Sequence, residues 1–114
     1  MPHFVIDCAS SVLEEYTQNE INSAVHQVAV ASGLFIESDI KVRVNPFTSC
    51  LVGNKQAPFI HVFTHIMQGR TTEQKAALSK AVVSKLHCMF THVDNIAMNI
   101  DDFEKATYCN KNQL

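Results

Sequence analysis

The chain has little net charge: nine Lys and Arg stand against eleven Asp and Glu, a formal −2. That balance gives no global pull toward nucleic acid or anionic lipid, so any bound anion must be held by a few local cations. Long apolar runs are also missing, and no stretch approaches the ~18 consecutive apolar residues of a membrane span. The opening, MPHFVIDCASS, has no cationic segment leading into a long apolar run and does not read as a secretion signal. Cysteine is sparse: Cys8, Cys50, Cys88 and Cys109, with no C-x-x-C pair. The expectation is therefore reduced thiols in a cytoplasmic protein rather than a disulfide-stapled one. G-x-G-x-x-G, P-loop and G-x-S-x-G patterns do not occur, which removes the usual signatures of dinucleotide, nucleoside triphosphate and serine-hydrolase chemistry.

The six histidines suggest a metal site only at first sight. His61 and His65 are four apart, a chelating interval on a helix. Their segment reads as a strand, where that interval spans ~13 Å along one face. His87, Cys88 and His92 have no fourth ligand at zinc spacing. No metal site is expected.

What remains is 114 residues with 46% hydrophobic content, enough for one domain over residues 1–114 with a real core. Its informative feature is a repeated plan. His3 to Cys8 is a short strand, led by Phe4, Val5 and Ile6. Ser11-Val-Leu-Glu14 offers a capping box for a helix along which Leu13, Tyr16, Ile21, Val25 and Val28 recur. Gly33 is placed to end it in a left-handed turn. Asp39 to Phe47 then alternates, with Ile40, Val42 and Val44 on one face and Lys41, Arg43 and Asn45 on the other. After a connection at Gly53-Asn54 the plan returns. Pro58 to Met67 is a strand, Gly69-Arg70 a turn, and Thr71-Thr-Glu-Gln74 a second capping box. Leu78, Val82, Leu86 and Met89 stripe a second helix, and Asn95 to Asp101 is a last strand.

Two β-α-β units, about 2–52 and 58–103, follow from this order. Each helical crossover suits a parallel, right-handed connection. The expected fold is α/β (α+β): a four-stranded sheet with both helices on one face. The other face, expected to carry Phe, Val, Ile and Met, has nothing in the chain to cover it. Sheets with parallel pairs are normally covered on both faces, so other subunits are expected to supply the cover.

Three places can carry chemistry, each with an ordinary alternative. Pro2 is tolerated at a strand start, where a missing N–H costs nothing. It also becomes a backbone-held secondary amine once Met1 is removed. An ordinary α-amino group titrates near ~8, and apolar walls or nearby cations lower that further, giving a neutral base. With Met1 attached the same nitrogen is an amide without a basic lone pair. Arg70, between a strand and a helix start, is either a solvated turn residue or a planar fork for a substrate carboxylate. Lys41 and Arg43 are either a wet sheet face or directed cations.

At Pro2 and at Gly69-Arg-Thr-Thr-Glu-Gln-Lys75 the chain resembles the tautomerase superfamily. The opening MPHFVIDC and the two-unit length resemble the 5-carboxymethyl-2-hydroxymuconate Δ-isomerase family within it. The resemblance implies a homotrimer around a central barrel and a cofactor-free isomerase of aromatic-acid breakdown, including that of homoprotocatechuate, acting on a small carboxylate. It implies Pro2 as acid/base and Arg70 as carboxylate anchor. A family arginine on the second strand falls nearest Lys41, with Arg43 two residues on. Phe35 and Phe47 become candidate apolar walls. A phenylpyruvate-type keto–enol tautomerase, a decarboxylating or dehalogenating relative, and a non-catalytic interaction module remain alternatives.

Overall fold

The computed structural model describes residues 1–114. Four strands, β1 (His3–Ala9), β2 (Lys41–Phe47), β3 (Phe59–Met67) and β4 (Asn95–Phe103), alternate with two helices, α1 (Gln18–Ala31) and α2 (Thr72–Met89). They form one sheet in the order β2-β1-β3-β4. β1 pairs parallel with β2 and β3 with β4, while β1 and β3 are antiparallel at the centre. The expected crossovers are therefore present, and the two units meet with their first strands side by side. That meeting puts the start of β1 next to the end of β3.

Both helices pack on the same sheet face, α1 along β2 and α2 along β4, with the two helices in contact. Their stripes, Ile21, Val25 and Ala29 of α1 and Leu78, Val82 and Leu86 of α2, close over Phe4, Ile6, Val44, Ile60 and Val62. Burying each of the larger side chains contributes roughly 1.5–3 kcal/mol. Cys8 lies in this layer, fully buried. Burial, and then the Asp7 carboxylate, pushes its thiol up to about 11, so it is a packing group rather than a nucleophile.

The first helix starts later than its sequence suggests. Ser10–Glu14 is a separate 3-10 turn with no side-chain cap. The capping box belongs to Thr17 and Glu20: Glu20 N donates to Thr17 Oγ1 at 3.1 Å and Thr17 N donates to Glu20 Oε1 at 2.9 Å. Geometry explains the break. On one continuous helix Val12 would sit about 180° around the axis from Ile21, yet both are buried. The second capping box lies where expected, at Thr71 and Gln74. Gly33 follows α1 at φ +71°, the left-handed conformation that glycine adopts without strain. β2 starts at Lys41 because Glu37–Asp39 forms its own 3-10 turn. β4 runs two residues further than expected, pairing Asp102 and Phe103 with Ile66 and Met67.

The other sheet face is uncovered by the chain, but its character differs from expectation. The strand isoleucines Ile6, Ile60 and Ile66 all lie in the buried layer. The open face instead mixes Val5, Phe63 and Phe103 with three histidines and their partners. Arg43 Nη1 and His3 Nδ1 are 3.2 Å apart, His61 Nε2 and Asn99 Oδ1 2.6 Å, and His65 Nε2 and Asp101 Oδ2 3.8 Å. Alternation along β3 places His61 and His65 on the open face, between Phe59, Phe63 and Met67.

A candidate active site at the N-terminal end of the sheet

Pro2 is buried at the mouth of β1. Its carbonyl accepts from Lys41 N at 3.1 Å, so the start of β2 clamps the residue in place. A cavity of about 300 Å³ opens there, lined by Met1, Pro2, Gly33, Leu34, Phe35, Ile36, Asp39 and Arg70. The antiparallel centre of the sheet creates this meeting: the first residues of β1 adjoin the turn that leaves β3. Gly69, at φ +122°, bends the chain there and delivers Arg70 just ahead of the α2 N-cap, where free amide dipoles add positive potential.

Arg70 is fixed from three sides. Its Nη2 donates to Leu34 O at 2.6 Å and its Nη1 to Met67 O at 3.3 Å. Its guanidinium carbon lies 5.1 Å from the centre of the Phe35 ring, a cation–π distance. These contacts occupy only part of the five-donor fork. The loop after α1 and the turn after β3 are thus tied together, and the remaining donors are held in a preset direction. No acidic side chain pairs with Arg70, whereas Lys75 is paired with Asp102 at 3.1 Å.

Lys41 also adjoins this mouth: its Nζ lies 3.2 Å from Asp39 O and 3.1 Å from Met1 Sδ. Arg43 does not line the cavity. It turns along the open sheet face to His3, whose pKa is lowered by burial first and then by Arg43 and Lys41. Of the two candidate walls, Phe35 lines the cavity. Phe47 lies at the other end of β2, its ring centre 4.9 Å from that of Phe59. Three lining residues were not singled out from sequence: Leu34, Ile36 and Asp39. Asp39 was legible in principle, because a parallel β1–β2 pair with His3 opposite Lys41 brings residue 39 level with residue 1.

The electrostatics suit a weakened base. The α-amino group of Met1, at the same mouth, titrates below its ordinary 8.0. Burial is the largest cause; Asp39 opposes the shift, and Arg70 and Lys41 add to it. A cavity with a fixed guanidinium free of acidic partners and apolar walls has the donors to orient a carboxylate, while the Pro2 nitrogen at its mouth is an amide as long as Met1 is attached. Larger space exists elsewhere, a groove of about 560 Å³ beside Leu51, Phe59 and Phe63, but Asp7 and Asp94 line it without Lys or Arg.

A four-stranded mixed sheet built from two β-α-β units, with a proline at the mouth of its first strand, is the tautomerase fold. The chain belongs to the 5-carboxymethyl-2-hydroxymuconate isomerase family, whose sequence model matches residues 2–114. A search of curated proteins finds no significant sequence match. Solved structures agree on the fold. A 5-carboxymethyl-2-hydroxymuconate isomerase from Deinococcus radiodurans R1 superposes with a TM-score of 0.84 at 20% identity, over 96% of this chain and 88% of that one. A fused 4-OT described as a symmetric trimer gives 0.79 at 15% identity, over 96% and 92% of the two chains. A macrophage migration inhibitory factor-like protein from Entamoeba histolytica gives 0.73 at 14% identity, over 96% and 95%.

Proposed function

We propose that the chain, once Met1 is removed, is a cofactor-independent isomerase that moves a proton along an unsaturated hydroxy- or keto-polycarboxylate of the 5-carboxymethyl-2-hydroxymuconate type. The observation that carries this reading is the shared cavity of Pro2 and Arg70, with Arg70 braced by Leu34 O, Met67 O and the Phe35 ring. Arg70 holds a substrate carboxylate through its free donors, and Lys41 is the second anchor; Arg43, turned to His3, contributes field rather than contact. The neutral Pro2 amine takes the hydroxyl proton of the dienol. The O–H pair left on oxygen becomes the C=O π bond, the double bonds shift along the chain, and the protonated amine delivers the proton to the carbon that receives the displaced pair. Atoms and charge balance without any other reactant.

Lysine at position 41 keeps the charge of the family's arginine but not its fork, and Leu34, Phe35 and Ile36 give the cavity apolar walls. Those two features favour a second reading, keto–enol tautomerisation of an arylpyruvate. Turnover of 5-carboxymethyl-2-hydroxymuconate and of phenylenolpyruvate by the Met1-free chain separates them. A higher kcat/KM on the first is expected; a higher value on the second selects the arylpyruvate reading; none on either removes the isomerase reading.

The uncovered sheet face supports a homotrimer as the working form, and light scattering at the trimer mass is the expected outcome. The four free cysteines suit a reducing compartment such as the cytoplasm. No helix is long and apolar enough to cross a membrane.

A further inference from the structure

We propose that Asp39 is a positioning residue for this site: its carboxylate, held at the cavity mouth, acts on the Pro2 amine and keeps it a strong enough base to return a proton near neutral pH. The inference rests on the proposed role of Pro2. Asp39 is half-buried, lines the cavity with Pro2 and Arg70, and closes the 3-10 turn that leads into β2. Its backbone is fixed at both ends of that turn: Asp39 N donates to Ile36 O at 2.9 Å, and Asp39 O accepts from Lys41 Nζ at 3.2 Å. The carboxylate itself forms no ion pair, whereas its neighbour Glu37 is engaged by His26 at 2.9 Å and is thereby drawn away from the cavity.

Without an acidic neighbour the amine would be over-weakened. Burial disfavours its charged form, and the other charged side chains at the mouth are cationic: Arg70 from the turn after β3 and Lys41 from β2, with Arg43 further along β2 and His3, next along β1, held toward its neutral form. From the loop after α1 the cavity is lined by Gly33, Leu34, Phe35 and Ile36, none of them titratable, while His26 of α1 and Glu37 pair with each other outside that lining. A base stripped of proton affinity takes a proton poorly and holds it briefly, so general catalysis is best when its pKa lies near the working pH. Asp39 is the one carboxylate lining the cavity, and a nearby carboxylate favours the charged form of an amine, as Asp39 does for the Met1 amine at the same mouth. The same carboxylate forms no ion pair with Arg70, leaving that guanidinium's remaining donors for substrate.

The test is an NMR titration of the Met1-free chain carrying labelled proline. In Asp39→Asn the Pro2 amine is expected to titrate about one pH unit lower than in the unsubstituted chain, and the acid limb of kcat/KM should move with it. Asp39→Glu should restore both. An amine midpoint unchanged in Asp39→Asn overturns the proposal. Should Asp39→Asn fold poorly, the Asp39 carboxyl carbon of the unsubstituted chain is followed instead. A second inflection at the amine midpoint is expected, and its absence overturns the proposal. The midpoint is read without turnover, so a failure of Pro2 as catalytic base leaves a separate mark, a Pro2→Ala chain as active as its parent.

Discussion

The chain has two proline-led strand mouths, and only one is lined by charged side chains. Pro2 precedes β1 and Pro58 precedes β3, the corresponding strands of the two units. Each prolyl residue lines a cavity of similar size, about 300 Å³ at Pro2 and about 310 Å³ at Pro58. At the Pro2 mouth stand Arg70 and Asp39, with Lys41 alongside. At the Pro58 mouth stand Ala9, Ser10, Ser11, Phe47, Thr48, Ser49, Cys50, Gln56 and Ala57, without a single Lys, Arg, Asp or Glu. The nitrogens differ as well. Pro58 is acylated by Ala57 in every form of the chain, so its nitrogen is always an amide, whereas Pro2 becomes an amine when one residue is removed. The two mouths thus share a leading proline and a cavity of similar size, and differ in chain position and local charge.

The sharpest way to break that comparison is a matched pair of substitutions. Pro2→Ala is expected to lower kcat/KM by on the order of 10²–10⁴-fold, the usual contribution of a positioned acid–base group. Pro58→Ala should leave it within about twofold, since it touches neither charge nor the amine. Comparable losses from both would end the distinction between the mouths.

Arg70→Ala comes next. It should weaken productive binding of carboxylate substrates by about 2–4 kcal/mol if the guanidinium is a desolvated anchor, read as a fall in kcat/KM. Unchanged kinetics would remove Arg70 from the site.

The core beneath both mouths gives a smaller effect. Thr64, fully buried in β3, has a hydroxyl with no hydrogen-bond partner. Thr64→Val should therefore raise stability by about 1 kcal/mol in urea unfolding, by removing an unsatisfied polar group. A loss of stability would show that the hydroxyl is satisfied in solution.

The smallest effect is electrostatic. His3 titrates below its ordinary 6.5 when folded, because of burial and then Arg43 and Lys41. Between the folded and unfolded values the unfolded chain binds more protons, so stability rises with pH there. The contribution of neutral His3 is complete above about pH 6.5 and declines as pH falls toward the lower folded value. His3→Gln should flatten the fall in Tm between pH 7 and 5, and an unaltered slope would assign the acid sensitivity to other groups.

Much of this was legible before any coordinates. Strand periods, the Thr71–Gln74 box, Gly33 and the order of elements are local signals, and local signals carry the topology here. Pro2 and Arg70 were readable because each stands at the end of an element, where chemistry-bearing residues are conspicuous. What was not legible is relational. The start of α1 has two competing cap patterns, Ser11–Glu14 and Thr17–Glu20, and the burial of both Val12 and Ile21 decides for the second. Lys41 and Arg43 look alike in sequence and separate only when Arg43 finds His3 across the β1–β2 pair. Asp39 enters the site through strand register rather than through any motif. The partners of the open-face histidines His61 and His65, Asn99 and Asp101, sit on another strand, so no local pattern shows them.

A free Pro2 amine is the proposed base. Its most direct test is turnover of 5-carboxymethyl-2-hydroxymuconate by two forms of the same chain, separated by intact mass into those with and without Met1. The account predicts activity in the Met1-free form only, in proportion to its fraction of the sample. Equal activity with Met1 still attached would contradict it, because an amide nitrogen has no basic lone pair to accept the proton.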